Sequence, residues 1–225
     1  MKKAIIVADI IAYTALSDKN KQFLEKKISE LFQIISSKYA VYCRLVKGDT
    51  IECVIDKPED AFEIALLIKT FIKSLTIKET NNKRFKYFKT FGIRIAIAIG
   101  ELSRYDKKRG IIDGEAIYMA GRKINEENTH QKKRIVIKNT LFFVSKNESL
   151  NRQFQTIFSL VEFILNKATA KQCEVIFYKT LGYKETEIAK IINVSQPVIN
   201  QHSVSAGWNA LEQTIRYFRE TVKIL

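Results

Sequence analysis

The sequence predicts an α+β fold: an α+β domain over residues 1–150, followed by an all-α unit over residues 151–225. Three observations predict it. Runs rich in Ile and Val at residues 3–11, 50–55 and 91–99 have the composition of interior strands. Helical patterns with one apolar face separate those runs. Beyond about residue 150 strand signals stop, and apolar residues recur only at helical spacing.

Taken in order, the run at 3–11 reads as a buried central strand. Ser17 is placed to cap a helix on which Phe23, Leu24, Ile28, Leu31, Phe32 and Ile35 share a face. Two strands follow, near 40–46 and 50–55, joined at Lys47-Gly48-Asp49-Thr50, a Gly-Asp hairpin signal. Pro58 opens a helix carrying Ala61, Ile64, Ala65, Ile68, Phe71 and Ile72 at helical spacing. Residues 81–87 read as a basic surface loop, and 91–99 as another interior strand. A polar loop with Arg109-Gly110 leads to Asp113-Gly114 and a helix over about 115–126. Arg134-Ile135-Val136-Ile137 reads as the last strand. The order β-α-β-β-α-β, then a further helix and strand, is the ferredoxin-like split βαβ pattern. That arrangement hosts many functions and by itself names none. No Pro/Gly/Ser-rich linker separates the two parts, so a helix is expected to join them.

Composition narrows the classes. The 225 residues hold 38 Lys and Arg against 24 Asp and Glu, a net charge of +14 that favours polyanionic partners through counterion release. A Lys-rich genome produces the same surplus without any such partner. No apolar run reaches the roughly 18–20 residues needed to span a bilayer, and the basic start is interrupted at Asp9 with no cleavage pattern behind it. A cytoplasmic protein with no membrane partner is the expectation. Cys43, Cys53 and Cys173 lack metal-ligand spacing and read as reduced thiols.

The most informative stretch is 184–202. Ile188, Ala189, Ile192, Val194 and Ile199 fall where a helix-turn-helix needs small or branched apolar residues to lock its two helices. Asn193 sits where the turn requires positive φ. Ser195 is placed as N-cap of the second helix, and Pro197 is tolerated in its first turn. Ser195, Gln196, Val198, Asn200 and Gln201 are the candidate DNA-contacting residues, since such side chains reach base edges and phosphates in a major groove. Upstream, 169–183 reads as a helix closed by Gly182. Downstream, Leu211, Ile215 and Phe218 share one helical face, favoured as core over a dimer seam. The alternative for the whole unit is a three-helix bundle that binds protein.

In the N-terminal part, Asp9 ends the first strand and Asp49 lies in the hairpin turn. The split βαβ pattern makes these neighbours, so two carboxylates and a backbone carbonyl could hold Mg²⁺. The bland reading is a strand-end Asp bonded to a loop and an ordinary Gly-Asp turn. Arg122 is either a phosphate contact or a structural partner of Glu115 or Glu126. No Walker-type loop, Gly-x-Gly-x-x-Gly loop or Ser-His-Asp set is present.

Four segments resemble class III nucleotidyl cyclases, in order over about residues 4–126. Asp9-Ile10-Ile11-Ala12-Tyr13-Thr14 is similar to their first metal motif, and Gly48-Asp49 to their second. Gly92-Ile93-Arg94-Ile95-Ala96-Ile97-Ala98-Ile99-Gly100 resembles their Arg-Ile-Gly-Ile-His-x-Gly strand. Gly114-Glu115-Ala116-Ile117-Tyr118-Met119-Ala120-Gly121-Arg122 resembles their Gly-x-x-Val-Asn-x-Ala-x-Arg helix. The resemblance implies Mg or Mn at Asp9 and Asp49 with a nucleotide, and a catalytic Arg122 that stabilises phosphate charge. The departures are Tyr118 for the ribose-positioning Asn, Leu45 for the base-selecting Lys, and Ile111 for its acidic partner. The wording at 113–116, with a helix-turn-helix further on, resembles the SatD-like family. Residues 169–189 are similar to the DNA-binding domains of sigma-factor region 4 and response regulators. Together these imply a homodimeric transcriptional regulator that binds double-stranded DNA, with a degenerate cyclase-like domain taking a nucleotide ligand. The alternative is a Mg- or Mn-dependent nucleotidyl cyclase or related phosphoryl-transfer enzyme, and a third class is a silent adaptor.

Overall fold

A computed structural model describes residues 2–78, 83–127 and 137–223. It is an α+β protein with a mostly antiparallel sheet and a helical C-terminal region. The strands are β1 (Lys3–Ile10), β2 (Val41–Val46), β3 (Thr50–Ile55), β4 (Ile93–Gly100), β5 (Arg104–Asp106), β6 (Ile111–Asp113) and β7 (Leu141–Val144). The helices are α1 (Asp18–Lys38), α2 (Ala61–Ser74), α3 (Phe85–Phe91), α4 (Glu115–Glu126), α5 (Glu148–Lys167), α6 (Ala170–Thr180), α7 (Glu185–Ile191), α8 (Gln196–Ser205) and α9 (Trp208–Lys223).

The main sheet runs β2-β3-β1-β4-β7. β1 lies between β3 and β4, antiparallel to both, and β7 is added parallel to β4. The period of two in β1 sorts its side chains cleanly. Ala4, Ile6, Ala8 and Ile10 join the core under α1 and α2, whereas Ile5 and Val7 join a smaller one under α4. α4 lies close because its inner face is small: Ala116 and Ala120 share that core with Ala96 and Ala98 of β4. Gly100 completes the fit, since a Cβ there would stand 3.4 Å from that of Ala116.

The helix expected from Ser17 is α1, with Leu24, Ile28, Leu31 and Ile35 buried. Phe23 is instead 39% exposed, and the Ser17 side chain makes no capping bond. Pro58 opens a short 3-10 turn that runs into α2. Two loops expected from polarity contain regular structure. Part of the basic stretch near 81–87 is the start of α3, because Phe85 and Phe88 are apolar anchors at i, i+3 that sink inward and stack. The polar stretch before Asp113 forms the β5–β6 hairpin. Of the strand expected at 134–137, residues 134–136 lie outside the described residues and Ile137 is not in a strand; the last strand described is β7, further on.

Residue 147 caps α5, the Asn147 side chain accepting from Leu150 N–H, close to the predicted boundary. Nothing apolar changes there, however. Phe62 of α2 stacks on Phe158 of α5 at 5.0 Å, and Phe218 of α9 meets Phe62, Phe143, Phe154 and Phe158. One continuous hydrophobic core therefore runs through both halves.

A buried polar seam lies beside it. Lys69 of α2 is 1% exposed, and its ammonium donates to Ile93 O at 2.9 Å and Thr140 Oγ1 at 2.7 Å. Thr140 in turn donates through N–H and hydroxyl to Glu162 of α5. Burial pushes the Lys69 ammonium down to about 8, the Glu162 charge opposing that shift, and burial raises Glu162.

Candidate functional site

Three helices build the C-terminal constellation. Thr169 starts α6 with a capping box, accepting from Gln172 N–H while the Gln172 side chain accepts from Thr169 N–H. Gly182, at φ 94°, ends it as expected. α7 follows, and the turn to α8 is set by Asn193 at φ 54°. Val194 N–H donates to Ala189 O at 3.0 Å across that turn. Val175, Ile188, Ala189 and Ile199 then form a small core of their own, with Ile192 and Val194 against it. The five apolar positions named from sequence are the ones that lock the two helices.

Ser195 occupies the N-cap position of α8 but its side chain makes no capping bond, so the first turn is held by backbone geometry and Pro197. Ser195, Gln196, Asn200 and Gln201 are exposed and Val198 is half-buried. None is sealed inside the bundle. Two of them are nevertheless engaged. Glu185, at the start of α7, accepts from Gln196 Nε2 at 2.8 Å and from Asn200 Nδ2 at 3.4 Å. The same carboxylate pairs with Lys179 at 3.1 Å. Burial raises the Glu185 carboxyl, but these partners more than offset it and hold it below the ordinary value. Glu185 is the residue that sequence reading missed here; its signal was an acid eleven and fifteen positions before two amide side chains, a spacing that only the turn converts into contact.

Charge is distributed unevenly around this unit. Residues 1–150 hold 29 Lys and Arg against 18 Asp and Glu, while residues 151–225 hold 9 against 6. α8 itself has no Lys or Arg. In the adjoining α7 segment Lys184 and Lys190 are exposed, and Lys179 of α6 pairs with Glu185.

In the sheet, the backbones of Asp9 and Asp49 lie next to each other. Asp9 pairs in register with Thr50, and Ile10 N–H donates to the backbone carbonyl of Asp49 at 2.9 Å. The turn itself is shaped for this, since Gly48 at φ 80° leaves room for the Tyr13 hydroxyl, which would stand 2.9 Å from a Cβ. That hydroxyl donates to Glu25 at 2.7 Å, and burial, then this bond, raises Tyr13 to about 12.

The Asp9 carboxylate has a cationic partner within the protein. Arg94, opposite Asp9 in the β1–β4 register, donates from Nη1 to both of its oxygens at 3.0 and 3.3 Å. Both side chains are buried, at 3% and 11% exposure. The Asp49 carboxylate accepts from Thr50 Oγ1 at 3.2 Å. Among the described residues no three His, Cys, Asp or Glu gather as metal ligands. Asp9 and Arg94 thus form a buried ion pair that ties β1 to β4. Two of the remaining positions of the cyclase resemblance, Leu45 and Ile111, adjoin a contact, since Arg44 donates to the carbonyl of Gly110. Leu45 lies on β2 opposite Ile51, and Ile111 on β6 opposite Asp106. Tyr118 is 62% exposed and donates to Asp113 at 2.5 Å. Arg122 is exposed on α4, with no ion pair among the described residues; Glu115, one partner considered for it, pairs with Lys146 at 3.1 Å.

No family model matches the sequence, and no curated protein matches it. Among solved structures, two of a bacterial light-regulated adenylyl cyclase are similar, both at 20% identity with a TM-score of 0.45. One alignment covers 64% of this chain and 43% of that one; the other covers 69% and 79%. Among the described residues no helix is long and apolar enough to cross a membrane.

Proposed function

We propose that this chain is a DNA-binding transcriptional regulator in which α7, the Asn193 turn and α8 act as a helix-turn-helix. The N-terminal part is read as a ferredoxin-like, nucleotidyl cyclase-like domain of SatD-like type that has lost its purine-reading side chains and serves sensing and pairing. The observation that carries this reading is α8 itself. Its core side, Ile199, is locked to α7, while Gln196, Asn200 and Gln201 are exposed, the first two bonded to Glu185. An exposed helix bearing amides next to a rigid partner is what the major groove accommodates. A homodimer follows from the need to read paired half-sites.

The charge layout supports recognition carried by amides rather than by phosphate attraction. If the exposed Lys184 and Lys190 of the α7 segment contact the backbone, each reader neutralises about two phosphates, and log K against log salt should slope near −2 per reader. The test is a mobility-shift selection from a random duplex library, with the salt slope measured on the enriched sequence. An enriched sequence whose binding drops at least tenfold on Asn200→Ala with Gln201→Ala supports the reading. Failure to enrich any sequence, or enrichment unaffected by that double substitution, overturns it.

A further inference from the structure

We propose that the cavity enclosed by the end of α2, α3 and the start of α6 is a binding site for an amphiphilic organic anion, an apolar chain ending in a carboxylate. The cavity holds about 450 Å³, within the range of pockets that take small molecules. One wall is apolar, built from Ile77, Phe85 and Phe88, all buried, with the two rings stacked at 5.6 Å. Among the described residues the charged lining is uniformly positive: Lys73, Lys78 and Lys89 contribute to it, and no Asp or Glu does.

Lys73 is the anchor. It is 6% exposed, and its ammonium donates to the carbonyls of Thr90, at 2.6 Å, and Leu165. An ammonium has three donors, so the two carbonyls do not exhaust it. Neither carbonyl carries a formal charge, and burial lowers the Lys73 ammonium from its ordinary value. An anion in the cavity would supply the missing countercharge. Thr169 and Ala170 complete the lining at the first turn of α6. Thr169 accepts the N–H groups of Gln172 and Cys173, which leaves those of Ala170 and Lys171 outside the capping bonds.

Apolar wall, buried cation and helix start face one space, which selects against an inorganic ion and against a neutral chain alike. The site does not depend on the DNA reading. It lies where α2 of the sheet half meets α6 of the helical half, so if that reading holds, an occupant here touches both.

Calorimetric titration of the full chain with decanoate below its micelle concentration tests the proposal, with decanol, inorganic phosphate and anionic phospholipid vesicles as comparisons. Saturable 1:1 binding of decanoate is expected, with decanol and phosphate at least tenfold weaker. Ala170→Phe, at an exposed position that narrows the cavity, should weaken decanoate at least tenfold, and Lys89→Ala several-fold. Both variants avoid the buried Lys73, and their unliganded melting temperatures check folding. No decanoate binding, equal binding of decanol, binding of vesicles alone, or indifference to both substitutions would overturn the proposal. Each result stands whether or not the chain shifts DNA.

Discussion

Asp9 and Arg94 show how one pairing redirects a reading. In sequence, Asp9 is a strand-end carboxylate facing a Gly-Asp turn, and both features point toward a metal. In space, Arg94 reaches it from the neighbouring strand on the α4 side of the sheet. A buried ion pair is expensive to break from one side, because the survivor keeps its desolvation cost without its partner. Arg94→Leu alone should therefore destabilise the fold by about 3–5 kcal/mol, read as a lower urea midpoint at unchanged slope. Arg94→Leu with Asp9→Leu should recover most of that loss, since two apolar side chains of similar volume replace the pair. Equal losses in the single and double variants would mean that the pairing is not what holds these residues.

At the scale of the element, the α7–α8 turn depends on a conformation more than on a contact. Asn193 at φ 54° is in the left-handed region, where a β-branched side chain meets its own carbonyl. Asn193→Val should cost about 1–2 kcal/mol and Asn193→Gly close to nothing, as read by thermal melting. If Val is tolerated as well as Gly, the turn is not the feature that orients α8. The same element shows which signals were readable. Apolar residues at helical spacing, a left-handed turn residue and Gly182 as terminator are local, so sequence displayed them. The capping bond at Thr169 and the Glu185 bridge to Gln196 and Asn200 are a matter of which side chain reaches first. Ser17 and Ser195, chemically as able as Thr169, make no capping bond at all.

For the whole molecule, the decisive contacts are aromatic and long-range. Phe62, Phe143, Phe154, Phe158 and Phe218 come from α2, β7, α5 and α9 and form one cluster across the predicted boundary. A shared core of this kind couples the two halves. Phe158→Ala, which removes a fully buried ring, should cost about 3–5 kcal/mol. It should also lower far-UV ellipticity and the fluorescence of Trp208, the one tryptophan, at a common urea midpoint. Separate midpoints would show that the helical half stands alone. A fragment of residues 151–225 is expected to be insoluble for the same reason, since Phe154, Phe158 and Phe218 would face water.

The elements from β1 to α2, the β4 strand, the α4 span, the two helices flanking Asn193 and the choice of Leu211, Ile215 and Phe218 as core were determined by sequence alone. Each follows from periodicity and backbone preference within a dozen residues. Tertiary structure decided the rest. It gave the Asp9 carboxylate to Arg94, set Glu185 against the exposed amides of α8, turned a basic stretch into a helix anchored by Phe85 and Phe88, and ran one aromatic cluster across the predicted boundary. The ion pair, the Glu185 bridge and the aromatic cluster join residues up to 156 positions apart in the chain, the Gln196 bond of that bridge spanning 11. A local pattern carries no information about which of several able partners the fold brings within reach.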